Sequence, residues 1–149
     1  MISQTAEYAL RAAVFLGNEP GEPCTTAQIS AATEAPSSYL AKVMKGLSRA
    51  GIVDSQRGLH GGFTLAIAPD ELTILDVVTA VDAFRRIEHC PLGRSDHTSG
   101  LCPLHRRMDN VIAAAEKTYG ETSISDVLEE PLLLCSLPCV SKPVSLETS

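Results

Sequence analysis

Residues 25–68 read TTAQISAATEAPSSYLAKVMKGLSRAGIVDSQRGLHGGFTLAIA. Two short helices and a hairpin follow from that order of residues. Thr25 and Gln28 stand at the spacing of a capping box, which satisfies two orphan amide donors at a helix start. The helix they open carries Ala27, Ile29 and Ala32 and stops near Glu34 and Ala35. Pro36 suits the start of the next helix, and Ser37 is positioned to cap it. Leu40, Val43, Met44 and Leu47 then fall at i, i+3, i+4 and i+7, one apolar stripe turned toward a core. Ser37, Ser38, Ala41, Lys42, Lys45 and Arg49 are left on the outer face. Gly51 ends the helix, as a residue free to turn left-handed should. Alternating residues predict strands over 52–56 and 62–67, joined by a tip at 57–61.

Helix, turn, helix and hairpin in this order predict a mainly α fold with a small β-hairpin wing, a winged helix-turn-helix. The second helix is the right size for a DNA major groove. Arg57 and His60 at the hairpin tip are placed to reach phosphates or an adjacent minor groove. The candidate DNA-binding residues are therefore Thr26, Ser37, Ser38, Tyr39, Lys42, Lys45, Arg49, Arg57 and His60. Lys42, Lys45, Arg49 and Arg57 against Asp54 give residues 36–62 a net charge of +3. A solvated helix beside a structural hairpin is the plainer reading. Against it, Gly58, Gly61 and Gly62 crowd a tip whose long side chains are Arg57, Leu59 and His60.

The 149 residues suffice for one domain with a tail. The expected division is a DNA-reading region over 1–70, a helical dimerisation region over 71–130 and a flexible tail over 131–149. No stretch approaches the roughly 20 apolar residues of a membrane span. The start lacks a basic region followed by an apolar run, so a cytoplasmic protein with no membrane partner is expected. In that compartment the five cysteines read as thiols or metal ligands before disulfides. The net charge of −6 is awkward for a DNA binder. However, Glu121, Asp126, Glu129, Glu130 and Glu147 against Lys142 place −4 of it in residues 121–149. Modest, salt-sensitive affinity per monomer and reliance on a dimer follow.

Residues 3–17 read as an alanine-rich helix, apolar over more than one face and so buried on two sides, against the winged helix and a second subunit. Glu7 sits in its first turns, where a carboxylate favours the helix N-terminus. Residues 17–23 form a turn-rich connector, and Cys24 reads as a small buried apolar residue. Thr73 and Asp76 cap a further helix with Ile74, Val77, Val78 and Val81 on its core stripe, fading at 84–86. Residues 87–105 have no hydrophobic period and form a loop, in which Cys90-Pro91-Leu92 is echoed by Cys102-Pro103-Leu104. Pro103 suits the first turn of a long helix over 103–119. Cys102 then lies near that helix N-terminus, where thiolate is favoured. Leu104, Met108, Val111, Ile112, Ala115 and Tyr119 form its apolar seam. Pairing with a second copy and packing on the chain's own winged helix account for the seam about equally well. Residues 123–130 make one more short helix, stopped by Pro131.

Chemistry is most expected at Cys90 and Cys102, since thiols in a polar loop are a liability unless used. Three readings stay open on the residues alone. A zinc site would take His89, Cys90, Cys102 and His105, though the gap is not a zinc-finger spacing. An iron–sulfur cluster would need completion by His97, His89, His105, Glu7 or a second subunit. A disulfide switch would need no metal. A small thiol-disulfide enzyme using Cys135 and Cys139 is a lesser alternative, since the pair lacks the spacing and the βαβ surroundings of a thioredoxin-type enzyme. No phosphate-cradling loop, nucleophile elbow or pair of catalytic carboxylates is present, so no enzyme is expected.

These residues resemble a family. Gly51-Ile52-Val53, Ser55, Arg57-Gly58, Gly61-Gly62-Phe63 and Leu65-Ala66, followed by Thr73, Asp76-Val77 and Ala80, are similar to the Rrf2 family of bacterial regulators. Tyr8-Ala9-Leu10-Arg11 and Ser38-Tyr39-Leu40 extend the resemblance, which covers roughly residues 1–130. It implies a homodimeric winged-helix repressor bound to a double-stranded DNA operator, of the IscR and NsrR kind, sensing redox, iron–sulfur or nitric-oxide status. The long helix over 103–119 would form the dimer, and Arg57 would enter the minor groove. The cofactor implied is an iron–sulfur cluster, taken as the two-iron two-sulfur type. Its ligands would be Cys90, Cys102, His97 and a Glu7 carboxylate offered across the dimer. Cluster-binding members carry three evenly spaced loop cysteines; here two remain, with His97 in the middle ground. Ala41 also stands where some relatives carry Glu, so operator preference does not transfer.

Overall fold

A computed structural model of the chain describes residues 2–91 and 100–130. Its elements are α1 (Gln4–Asn18), α2 (Thr26–Thr33), α3 (Ser37–Arg49), β1 (Val53–Gln56), β2 (Gly62–Leu65), α4 (Ile74–Val81), α5 (Pro103–Glu121) and α6 (Ile124–Glu129). The expected tail with Cys135, Cys139 and Lys142, and the loop's His97, lie outside the described residues.

The core is built around α1. Ser3 caps it, accepting from the Ala6 amide at 3.1 Å. Ala6, Ala9, Ala12, Ala13 and Leu16 are buried. Four alanines on so short a helix let neighbouring backbones approach closely. The chain itself supplies the covering elements, with α2, α3, α4, α6 and β2 all packed on α1. Leu40, Val43, Met44 and Leu47 of α3 are buried in the same core, as their spacing predicts.

Local chemistry sets the boundaries. Three helices open on reciprocal capping boxes: Thr25 with Gln28, Thr73 with Asp76, and Ser123 with Asp126. Each is worth about 1 kcal/mol of local stability. Helix α2 stops where Glu34 turns left-handed at φ 56°. Ser37 is not the cap of α3, contrary to expectation. Pro36 occupies that position without a side-chain bond, and its carbonyl accepts from the Tyr39 and Leu40 amides at 2.9 Å each. The Ser37 hydroxyl instead donates to Ser30 Oγ at 3.2 Å, joining the two helices of the turn. Gly51 closes α3 at φ 75°, as expected.

The wing is an antiparallel pair in the register Val53↔Leu65, Asp54↔Thr64, Ser55↔Phe63 and Gln56↔Gly62, ending at the tip where the alternation predicts and falling short of it at the other end. Cys24 forms a bridge to Phe63 through bonds of 2.9 and 2.8 Å, tying the wing to the segment before α2. That close approach demands Gly62, whose hypothetical Cβ would stand 2.6 Å from the Cys24 carbonyl oxygen. Cys24 is buried, as expected, and its thiol pKa is pushed up by that burial and by Glu19 and Glu22.

Helix α4 ends at Val81, short of the expected 84–86, because Asp82 turns extended. Residues 82–91 continue without regular structure toward α5. Helix α6 is fastened to the start of α4 by Ile74 N–H to Thr122 O at 3.0 Å and Ile124 N–H to Leu72 O at 2.8 Å. No described helix is long and apolar enough to cross a membrane.

Candidate DNA-binding face and Cys–His centre

Helix α3 presents Ser37, Ser38, Lys42, Lys45 and Arg49 to solvent while its opposite side is buried. Between α3, the start of α2 and the wing lies a groove of about 440 Å³, lined by Thr26, Lys45, Ser48, Arg49, Ser55 and Phe63 among others. Arg57 and His60 are exposed at the wing tip. Tyr39 is different, because it is half-buried. Its hydroxyl lies 2.6 Å from Thr5 Oγ1, and its ring meets Tyr8 edge-on at 5.6 Å. These contacts fix the start of α3 against α1.

Glu7 lies on α1 and accepts from Arg11 Nε at 3.0 Å, while Arg11 Nη1 donates to the Thr33 carbonyl at 3.1 Å. Within the chain Glu7 does not join the thiols.

The thiols meet at the N-terminus of α5. Cys102 is the N-cap residue, and Pro103 occupies the first turn, as the sequence predicts. His105, one turn along, brings Nδ1 to 3.1 Å from Cys102 Sγ and 3.7 Å from Cys90 Sγ. The ligand atoms of Cys90, Cys102 and His105 all lie within 4.8 Å of one another. His89 is not in this group. His105 was one of several histidines weighed from the sequence. Its i, i+3 spacing from Cys102 across a helix start is the signal that singles it out. Two sulfurs and an imidazole nitrogen suit zinc or iron–sulfur chemistry and leave one or more ligands to come from elsewhere. The same two sulfurs are close enough for thiol chemistry alone.

Arg86 and Asp109 were not anticipated as parts of this region. Asp109 is the one buried charged residue among those described, 9% exposed, and accepts from Nε and Nη2 of Arg86 at 2.8 and 2.5 Å. Its pKa is pulled down to about 2, first by Arg86 and then by the Ile87 amide.

A recognition helix with one cationic face, a wing that projects beyond it, and a long helix after a thiol-bearing segment define a winged-helix DNA-binding protein. The chain belongs to the Rrf2 family, whose model, described as an iron-dependent transcriptional regulator, matches residues 2–130. It is 30% identical over 131 residues to an HTH-type transcriptional regulator of Aquifex aeolicus, covering 86% of this chain and 91% of that one. Its fold is similar to that of CymR, the global cysteine regulator of B. subtilis, with a TM-score of 0.70 at 22% identity over 86% of this chain and 95% of that one. It is equally similar to T. potens IscR, with a TM-score of 0.70 at 21% identity over 86% and 85% of the two chains. The protein is a DNA-binding transcriptional regulator and not an enzyme.

Proposed function

We propose that this regulator is a repressor that works as a homodimer and sets its operator affinity by the state of a Cys90–Cys102–His105 centre. Residues 1–70 read DNA and residues 71–130 pair the subunits. Helix α3 enters the major groove with Ser37, Ser38, Lys42, Lys45 and Arg49, and Thr26 and Tyr39 hold its start against the backbone. Arg57 and His60 of the wing reach the minor groove or its phosphates. The subunits pair along α5, and the observation that supports pairing is its exposed seam: Leu104 is 64%, Met108 48% and Val111 60% exposed. Such a seam is expected to be covered by a copy of itself.

The convergence of two thiols and an imidazole at one helix N-terminus carries the sensing part of the reading. An iron–sulfur cluster bound there would supply one-electron redox chemistry and sensitivity to oxidants or nitric oxide. Cys90, Cys102 and His105 would hold it, with His97 or Glu7 of the partner subunit completing the set. For a signal to pass, DNA contacts must differ between the two states of the centre. An anaerobic absorption spectrum of untagged protein, with iron and sulfide counts, tests this. Visible absorbance lost in Cys102→Ser supports it. A colourless protein without iron overturns it.

The proximity of the two sulfurs favours one other reading, a metal-free thiol switch. In that case the protein is colourless, and Cys90 and Cys102 become protected from alkylation together after mild oxidation.

A further inference from the structure

The segment 82–91 is a strap laid along α5. Phe84 stacks on Tyr119 with ring centroids 5.9 Å apart. Arg86 reaches Asp109 and, at 3.4 Å, Glu116. Cys90 stands over His105 at 3.7 Å. Residues 105, 109, 116 and 119 share one face of a helix, so the strap runs antiparallel to α5 from its C-terminal end to its N-terminal end. The six steps from residue 84 to residue 90 span at most about 20 Å when extended. The fourteen from 105 to 119 rise about 21 Å in a helix. The strap is thus long enough to follow this face, and the tether from the fork to the thiol is short: the three steps from Ile87, whose amide is on Asp109, to Cys90 reach at most about 10 Å, which keeps Cys90 near His105.

One contact holds the middle of this strap. Asp109 accepts from Nε and Nη2 of Arg86, at 2.8 and 2.5 Å, and also from the Ile87 amide at 2.9 Å. A bidentate pair of this kind is directional as well as strong. A carboxylate buried to this degree is costly to leave without its partner. The strap's other end leads into α4, whose Val81 Cγ1 would lie 3.0 Å from a Cβ placed on Gly46 in the middle of α3. Cys90 is thus joined to α3 by a short segment clamped at Asp109 and one packed helix.

We propose that the Arg86–Asp109 fork is the positioning device of the centre: it sets Cys90 against Cys102 and His105 and makes the strap transmit changes there to α4 and α3. Arg86 and Asp109 are positioning residues and not ligands. The inference rests on the reading of Cys90, Cys102 and His105 as a working centre, so its test has an arm that needs no metal.

In that arm, full-length protein stripped with chelator is treated with diamide. Diamide takes the two thiol hydrogens with their electrons, becoming the hydrazine, while the Cys90–Cys102 S–S bond forms. The closure rate is read by peptide mass mapping, which separates these thiols from the other three cysteines of the chain. Releasing Cys90 from a fixed position to a free loop lowers its effective concentration at Cys102, so Asp109→Asn and Arg86→Gln should each slow closure about tenfold. Arg86→Lys, which keeps the charge but loses the fork, should recover part of the rate, and Glu116→Gln should stay close to wild type. Arg86 is 42% exposed and lies outside the buried core, so its variants keep the proposal testable if Asp109→Asn fails to fold. Wild-type closure rates in both Arg86→Gln and Asp109→Asn would overturn the proposal.

In the second arm, cobalt(II) is titrated into the reduced chain, and the thiolate-to-cobalt band is compared. Asp109→Asn should lose the share of the band that Cys90→Ser loses. A full wild-type band in Asp109→Asn overturns the clamp. No band in wild type overturns the metal-centre reading, and the diamide rates still decide the clamp.

Discussion

Arg57 sits at the tip of a two-stranded wing with its side chain free in solvent, and Lys42 sits on the open face of α3. Neither contributes to the core, so replacing either with alanine should leave folding unchanged. Each should weaken operator binding by about 1 kcal/mol or more through loss of a charge-assisted contact to phosphate or base. If Arg57 reads the minor groove, Arg57→Ala also relaxes sequence preference, whereas Lys42→Ala lowers affinity uniformly if its contact is to phosphate. Titration against operator and unrelated duplex at two salt concentrations separates these outcomes. Equal affinity of both variants with wild type would remove this face from the DNA. At the same scale Tyr39, proposed to meet the DNA backbone, also has a structural role. With its hydroxyl on Thr5 and its ring on Tyr8, it holds the start of α3 in place.

Helix α5 is the longest element and among the least buried, with Asp109 as its one buried residue. An isolated apolar seam on such a helix exposes surface that water disfavours, and a second copy removes it at both subunits at once. In the proposed dimer, Val111→Glu puts a charge from each subunit on that seam. The expected outcome is dissociation to monomers by analytical ultracentrifugation, with the winged helix still folded by circular dichroism. Operator affinity then falls by the loss of the second half-site. A dimer that persists in Val111→Glu would put the interface elsewhere.

For the molecule as a whole, acid stability has a definite direction. The Asp109 pKa is lowered to about 2, Asp126 is lowered by the Ser123 amide and hydroxyl, and Asp82 is lowered first by the Ser3 side chain. In the unfolded chain these carboxylates titrate near about 3.9. Below that value the unfolded state binds more protons than the folded one, so stability rises with pH there. For Asp109 the stabilisation is present above about pH 4 and is lost as pH falls through about 2, and Asp126 and Asp82 act in the same direction. Thermal melts between pH 5 and pH 2 should show a steep decline in wild type and a flatter one in Asp109→Asn, whose fork no longer titrates. Parallel curves would remove Asp109 from the acid response.

The sequence determined the elements by itself. Capping boxes at Thr25 and Thr73, the four-residue stripe on α3, the turn at Gly51 and the glycine-lined wing are local signals, each readable within one or two helical turns. They brought the winged helix, the thiols at 90 and 102 and the position of Cys102 at the start of α5 within reach of sequence alone. The sequence missed what depends on residues far apart in the chain. Nothing local says that Arg86 will find Asp109, 23 positions away. Nor does it say that Cys90, 15 positions before His105, will join the local pair of Cys102 and His105. The end of α4 at Val81 and the inward turn of Tyr39 likewise depend on what lies across from them. Those choices were made by tertiary packing, because a side chain's partner is set by which helix faces it, and that is fixed only once the α1 core has closed.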